Sequence, residues 1–170
     1  QGDVGSGKTV IAQYACLKAV DSGGQVAIMV PTEVLAKQMF DRMEAAFTPL
    51  GVKMALLIGK TTPKQREKIL EELAAGEISV LVGTHALISE TVRFANLTLA
   101  VIDEQHRFGV RQRLALSDKG SADLLVMSAT PIPRSLALTL YGDLNTTIIR
   151  DLPAGRKPID TRLIHPNQRD

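Results

Sequence analysis

A mostly parallel α/β sheet with helices on both faces is predicted by three features of this 170-residue sequence. Short apolar runs alternate with amphipathic stretches of roughly 10–15 residues, the pattern of strands joined by crossover helices. A glycine-rich loop, Gly2-Asp3-Val4-Gly5-Ser6-Gly7-Lys8-Thr9, stands directly ahead of the first such stretch. An apolar run, Leu99-Ala100-Val101-Ile102, ends in the carboxylate pair Asp103-Glu104. The carboxyl ends of strands are where open α/β sheets assemble their sites.

The elements follow in order. A glycine-rich loop of this kind normally follows a buried strand, yet only Gln1 precedes Gly2. The strand is therefore expected to have been cut away, leaving a domain over residues 1–150 that is truncated at its N-terminus. After the loop, Val10, Ile11, Tyr14, Ala15 and Leu17 recur at helical spacing until Gly23-Gly24 stops them. Residues 25–30 form a short apolar strand. Thr32 is placed to cap the next helix, with Glu33 favourable in its first turn. Leu35, Met39, Met43, Ala46 and Phe47 are that helix's expected buried stripe. Residues 52–58 read as a strand interrupted by Lys53.

Thr62-Pro63-Lys64-Gln65 is a capping box with proline at the first helical position. Its helix is expected to bury Ile69, Leu70 and Leu73 and to end at Gly76. Residues 78–82, 97–102 and 123–127 read as strands, and 132–141 as a helix. From Asp151 the texture changes, with Pro153, Pro158 and Pro166 among interleaved charges. Residues 151–170 are read as a linker leaving the domain.

Composition narrows the class. Hydrophobic residues are 45% of the chain, enough for one sizeable core, and the formal net charge is only +2. Charge alone therefore does not indicate a nucleic-acid partner. Cys16, the single cysteine, excludes an intramolecular disulfide and a cysteine-based zinc site and reads as a small core residue. No apolar run approaches the ~18 residues of a membrane span. No targeting segment is visible, and a reducing cytosol is the expected compartment.

The glycine-rich loop matches G-x-x-x-x-G-K-[ST] at every fixed position. In such a P-loop, backbone N–H groups converge on a phosphate because no Cβ blocks the approach. Gly2, Asp3, Val4, Gly5, Ser6, Gly7, Lys8 and Thr9 are thus expected to bind ATP. Lys8 would reach the β- and γ-phosphates, and the Thr9 hydroxyl would ligate Mg²⁺. Asp103-Glu104 is the matching Walker-B arrangement. Asp103 would hold Mg²⁺, and Glu104 would orient and deprotonate the attacking water.

Further boxes resemble those of superfamily-two helicases: Asp103-Glu104-Gln105-His106 their motif II, Ser128-Ala129-Thr130 motif III, Pro31-Thr32-Glu33 motif Ia and Gly83-Thr84-His85 motif Ib. Longer stretches, DEQHRFGV from Asp103, SATPIPR from Ser128 and LPAGRKP from Leu152, resemble the RecG-type helicases over essentially the whole chain. These are bacterial ATP-dependent DNA helicases that remodel stalled forks and branched DNA. Ser135 stands where that family has threonine.

The resemblance implies a RecA-like fold and the first of two motor domains, with ATP in the cleft between them. The second motor domain, with its arginine finger, and the N-terminal wedge domain that splits the fork would be partners within the same parent chain. The isolated domain is accordingly expected to be nearly inactive. The resemblance also implies that His106, Ser128 and Thr130 couple the Mg²⁺ site to DNA movement, and that Thr32, Thr84 and His85 face the nucleic-acid backbone. For Thr32 and Thr84 plain N-capping is the competing reading, and His85 could equally be a hydrogen-bonded surface residue. Arg107, Arg111 and Arg113 read as an electrostatic patch or as a solvated helix face. Aromatics are 4% of residues, with no tryptophan, which favours backbone tracking over base stacking. The rival functions are a transcription-repair coupling factor-like translocase, a P-loop ATPase that does not act on nucleic acid, and a nucleotide-binding scaffold without turnover. The resemblance places the protein in the bacterial cytoplasm, at the nucleoid, and away from membranes.

Overall fold

The computed structural model describes residues 1–104, 116, 119, 122–129 and 145–149. The described residues hold three α-helices and five strands: α1 (Lys8–Asp21), β1 (Gln25–Met29), α2 (Glu33–Phe47), β2 (Met54–Leu57), α3 (Pro63–Ala74), β3 (Val80–Gly83), β4 (Leu97–Ile102) and β5 (Asp123–Val126). The expected helix over 132–141 and the linker over 151–170 lie outside the described residues.

All the strand pairs are parallel, in the order β2-β3-β1-β4-β5. Ile28 of β1 stands between Val82 of β3 and Val101 of β4. β1 is buried throughout, as a central parallel strand must be when helices cover both faces. The period of two sorts its side chains between two cores. Ala27 and Met29 join Leu57, Leu73, Leu81 and Ile102 on the α3 face. Val26, Ile28 and Val30 join Cys16, Met39, Met43, Phe47 and Val101 on the face of α1 and α2.

The caps act as the sequence predicts. Thr32 accepts from the Leu35 N–H at 3.3 Å. Thr62 accepts from the Gln65 N–H at 3.4 Å while the Gln65 side chain accepts from the Thr62 N–H at 3.3 Å, a complete capping box. Such a cap is worth about 1 kcal/mol.

Two helix stripes differ from expectation. Val10, Ile11 and Tyr14 are exposed, and α1 buries Ala12 and Cys16 instead. Small side chains let the α1 backbone lie close to the sheet, and the larger residues are turned outward. On α2 the buried positions are Ala36, Met39, Met43 and Phe47. Leu35 and Ala46 fall off that stripe and are exposed. The strand expected over 52–58 is confined to Met54–Leu57. Val52 and Ile58 donate instead to Phe47 O and Thr61 Oγ1, closing the loops at either end.

Gln25 is a polar residue in the core, 4% exposed. Its Nε2 donates to Leu73 O at 2.9 Å and Ile78 O at 2.8 Å, and its Oε1 accepts from the Asn96 N–H at 2.9 Å. One side chain thus ties the end of α3 and the entries to β3 and β4 to β1. Gln25→Leu keeps the volume and strands three backbone groups. Urea unfolding should show a loss of about 2–4 kcal/mol, the scale of unsatisfied buried groups; an unchanged midpoint would mean that water replaces the clamp. Burial pushes the Cys16 thiol up from 9.0 to about 12. The folded state then keeps a proton that the unfolded state loses, so this contribution to stability is complete below pH 9 and declines above it. Ellman's reagent should leave folded Cys16 unmodified at pH 8 and react fully in denaturant.

Candidate nucleotide and nucleic-acid site

The P-loop starts inside the sheet. The Gly2 N–H donates to Ser128 O at 3.3 Å, beyond the end of β5. Gly2 also forms a parallel bridge with Ile149, whose N–H donates to Gln1 O at 2.7 Å. The Gln1 amino group donates to Thr147 O at 2.6 Å. Gln1 and Gly2 therefore occupy the sheet position from which a P-loop leaves, between β5 and residues 147–149.

The loop then turns tightly on itself. A Cβ at Gly2 would stand 2.5 Å from Ser6 Oγ and 3.1 Å from Ile149 Cβ, so a side chain there would make Ser6 turn and crowd Ile149. The Ser6 N–H donates to Asp3 O at 3.2 Å, and the Val4 N–H to Asp3 Oδ1 at 2.7 Å. Gly7, the N-cap of α1, has φ +91°, a left-handed conformation natural to glycine. No side chain caps α1, and its first turn carries no acidic residue. The sequence thus leaves a helix N-terminus, with its positive dipole end, uncompensated beside a glycine loop, the usual arrangement for binding phosphate.

Lys8 reaches back across this loop. Its Nζ donates to Gly2 O at 2.6 Å and to Asp3 O at 2.7 Å. An ammonium has three donors, so these bonds anchor the head and leave one for an incoming phosphate oxygen.

Asp103 follows directly on β4, and its N–H continues the ladder to Met29 O at 3.0 Å. Burial, the largest effect, raises the Asp103 carboxyl above its usual range, and the charge of Glu104 adds to the rise. The Glu104 N–H, which donates to Asp103 Oδ1 at 3.0 Å, and the Lys8 ammonium oppose it. Glu104 itself has φ +52°. That left-handed conformation costs a carboxylate-bearing residue about 1–3 kcal/mol and is characteristic of functional turns.

The donor set fits Mg·ATP. A partly buried carboxylate that its surroundings drive towards protonation suits a divalent cation, and the Thr9 hydroxyl lies in the first turn of α1. Among the described residues no three His, Cys, Asp or Glu side chains cluster as a self-contained metal cage.

The remaining candidates separate. Ser128 is buried, at 1% exposure, and its carbonyl is the P-loop's sheet partner. Thr84 is 4% exposed and makes no side-chain cap bond, whereas His85 beside it is exposed. Thr32 is an N-cap, with its hydroxyl accepting and its O–H proton left to donate. Gln105, His106, Arg107, Arg111, Arg113 and Thr130 lie outside the described residues. The sequence reading missed the Asp3 side chain as a brace of the loop and the Gly2–Ser128 bond that joins the P-loop to the Ser-Ala-Thr box; no residue spacing signals either.

The comparisons with known proteins fit this geometry. The family model for DEAD/DEAH box helicases matches residues 1–139. The ATP-dependent DNA helicase RecG of Thermotoga maritima is 57% identical over 96% of this chain. That of Escherichia coli is 50% identical over 99% of it. The chain spans 21% and 25%, respectively, of those relatives' lengths. A solved structure of RecG bound to a three-way DNA junction superposes with a TM-score of 0.79 at 53% identity, covering 94% of this chain and 21% of that one. The parallel sheet with helices on both faces is thus the fold of RecA-like helicase domains. With the match extending from the P-loop through the Ser-Ala-Thr box, this chain belongs to the DEAD/DEAH box helicase family.

Proposed function

We propose that this chain is the first RecA-like motor domain of a RecG-type helicase, which couples ATP hydrolysis to the remodelling of branched DNA in the bacterial cytoplasm. The observation that carries the reading is the meeting of the two motif halves: Lys8, held by Gly2 O and Asp3 O, lies within electrostatic reach of Asp103. Support for the DNA substrate comes from the RecG relatives and from the RecG structure solved on a three-way junction.

The residues divide the work. Residues 2–9 grip the phosphates through backbone N–H groups and the α1 dipole. Thr9 and Asp103 would hold Mg²⁺, which neutralises charge on the β- and γ-phosphates when bound. Lys8 offers its third N–H to charge that grows as the terminal phosphoryl group leaves. Glu104 takes the proton of the attacking water. Ser128, with His106 and Thr130, transmits the state of the phosphate site, and Thr32 and His85 meet the DNA backbone, with Thr84 buried behind His85. A second motor domain of the same parent chain would close the cleft and supply the arginine finger, and a wedge domain would split the fork.

Two measurements on the full-length protein test this division. Asp103→Ala should weaken Mg·ATP binding, whereas Glu104→Gln should bind nucleotide normally and lose at least ~10²-fold in turnover, because an amide accepts no proton. Near-normal hydrolysis by Glu104→Gln would remove it from the base role. Lys8→Ala should abolish ATP hydrolysis and junction unwinding together. In an ATP titration kcat should stay depressed at saturation, since the lost contact acts on the transition state; full recovery at high ATP would leave Lys8 only a ground-state contact.

A further inference from the structure

Between Glu104 and Ala122 the described residues are Leu116 and Lys119, and both reach the segment that follows the Thr84-His85 turn. Leu116 is fully buried in the core shared by Leu87 and Val92. The Lys119 Nζ donates to Ser89 O at 2.8 Å and to Val92 O at 2.9 Å.

Residues 89–92 form a tight turn. The Val92 N–H donates to Ser89 O at 2.9 Å, and the Ser89 and Thr91 hydroxyls share a 2.9 Å hydrogen bond. On the far side, Arg66 Nη2 of α3 donates to Thr91 Oγ1 at 3.2 Å. The turn follows directly on the 3-10 turn His85–Ile88. It is thus gripped from two sides by cations of different origin, Arg66 from α3 and Lys119 from the chain beyond Asp103-Glu104. Burial, the main cause, pulls the Lys119 ammonium below its usual range, with Arg93 adding to the effect and Glu90 opposing it. Two of its three N–H donors are engaged by the Ser89 and Val92 carbonyls.

We infer that Lys119 is a positioning residue for nucleic-acid engagement: by clamping the carbonyls of Ser89 and Val92 it fixes the turn into which the Thr84-His85 segment runs. The inference rests on the reading of that segment as a DNA-backbone contact. The ammonium holds the turn by its Ser89 and Val92 carbonyls, and the Thr84-His85 segment runs directly into that turn. Among the described contacts Lys119 bonds the Ser89–Val92 turn and neither the phosphate loop nor the carboxylate pair.

The experiment uses the full-length protein with Lys119→Met, which keeps an unbranched apolar stem and removes the cation, and Lys119→Arg, which restores two N–H donors. ATPase is measured without DNA and across a titration with a synthetic three-way junction, alongside thermal melting. Lys119→Met should need about tenfold more junction for half-maximal stimulation, within the span of coupling mutations. Its DNA-free rate should match wild type, whereas its melting temperature should fall with two carbonyls left unbonded and return in Lys119→Arg. Lys119→Arg should recover the wild-type half-saturation to within about twofold, because its guanidinium can bond both carbonyls. Wild-type half-saturation in Lys119→Met overturns the inference. So does a parallel fall in the DNA-free rate and melting temperature that arginine does not rescue, since that marks a clamp serving only stability. If junction DNA fails to stimulate the wild type, the DNA reading of the turn fails, and the inference fails with it.

Discussion

Parallel pairing is the constraint on which the rest of the molecule depends. When every strand runs the same way, every loop that leaves a strand end emerges at the same edge of the sheet. The register makes this concrete. Met29 pairs with Gly83 on one side and Ile102 on the other, so the Pro31-Thr32, Thr84-His85 and Asp103-Glu104 turns leave the sheet side by side. Ile102 pairs with Val126, which brings Ser128 to that edge, and the Gly2 N–H closes onto Ser128 O. An antiparallel meander would distribute the same turns over both edges.

The local costs in the chain gather at that edge. The α1 N-terminus has no side-chain cap and no acidic residue in its first turn, whereas α2 and α3 are both capped by threonine. Glu104 adopts a left-handed conformation that glycine would take more readily. Asp103 is buried enough to oppose its own ionisation. An uncapped dipole, a strained acidic residue and a disfavoured carboxylate lie beside an anchored ammonium. A nucleotide with its cation would answer each of them: phosphates the helix end and the lysine, the metal the carboxylate.

Stability is supplied elsewhere. Two apolar cores sandwich the sheet, and Gln25 fastens the end of α3 and the entries to β3 and β4 onto β1 at the edge opposite the site. The rigid end of the sheet is thus remote from the end where phosphate and DNA would act. Loops can then respond to a ligand without disturbing the scaffold that positions them.

The sequence by itself determined the alternation of strands and helices, the parallel sheet, the P-loop and the acidic strand end. These are legible because each rests on local physics: a period of two or of 3.6 residues, a glycine needed at a tight turn, a threonine three residues ahead of the N–H it caps. Only the tertiary structure decided which face of α1 is buried. Val10, Ile11 and Tyr14 carry the hydrophobicity, but Ala12 and Cys16 permit the closer approach to the sheet, and steric fit is invisible in a periodicity. Tertiary structure also decided that Lys8 turns back onto Gly2 O and Asp3 O, that Gly2 pairs with Ser128, and that Lys119 grips the turn at Ser89 and Val92. Gly2–Ser128 and the Lys119 contacts join residues far apart in the chain, and all these bonds end on backbone carbonyls, which every residue carries. No residue type marks such a bond beforehand; the folded path of the chain selects it.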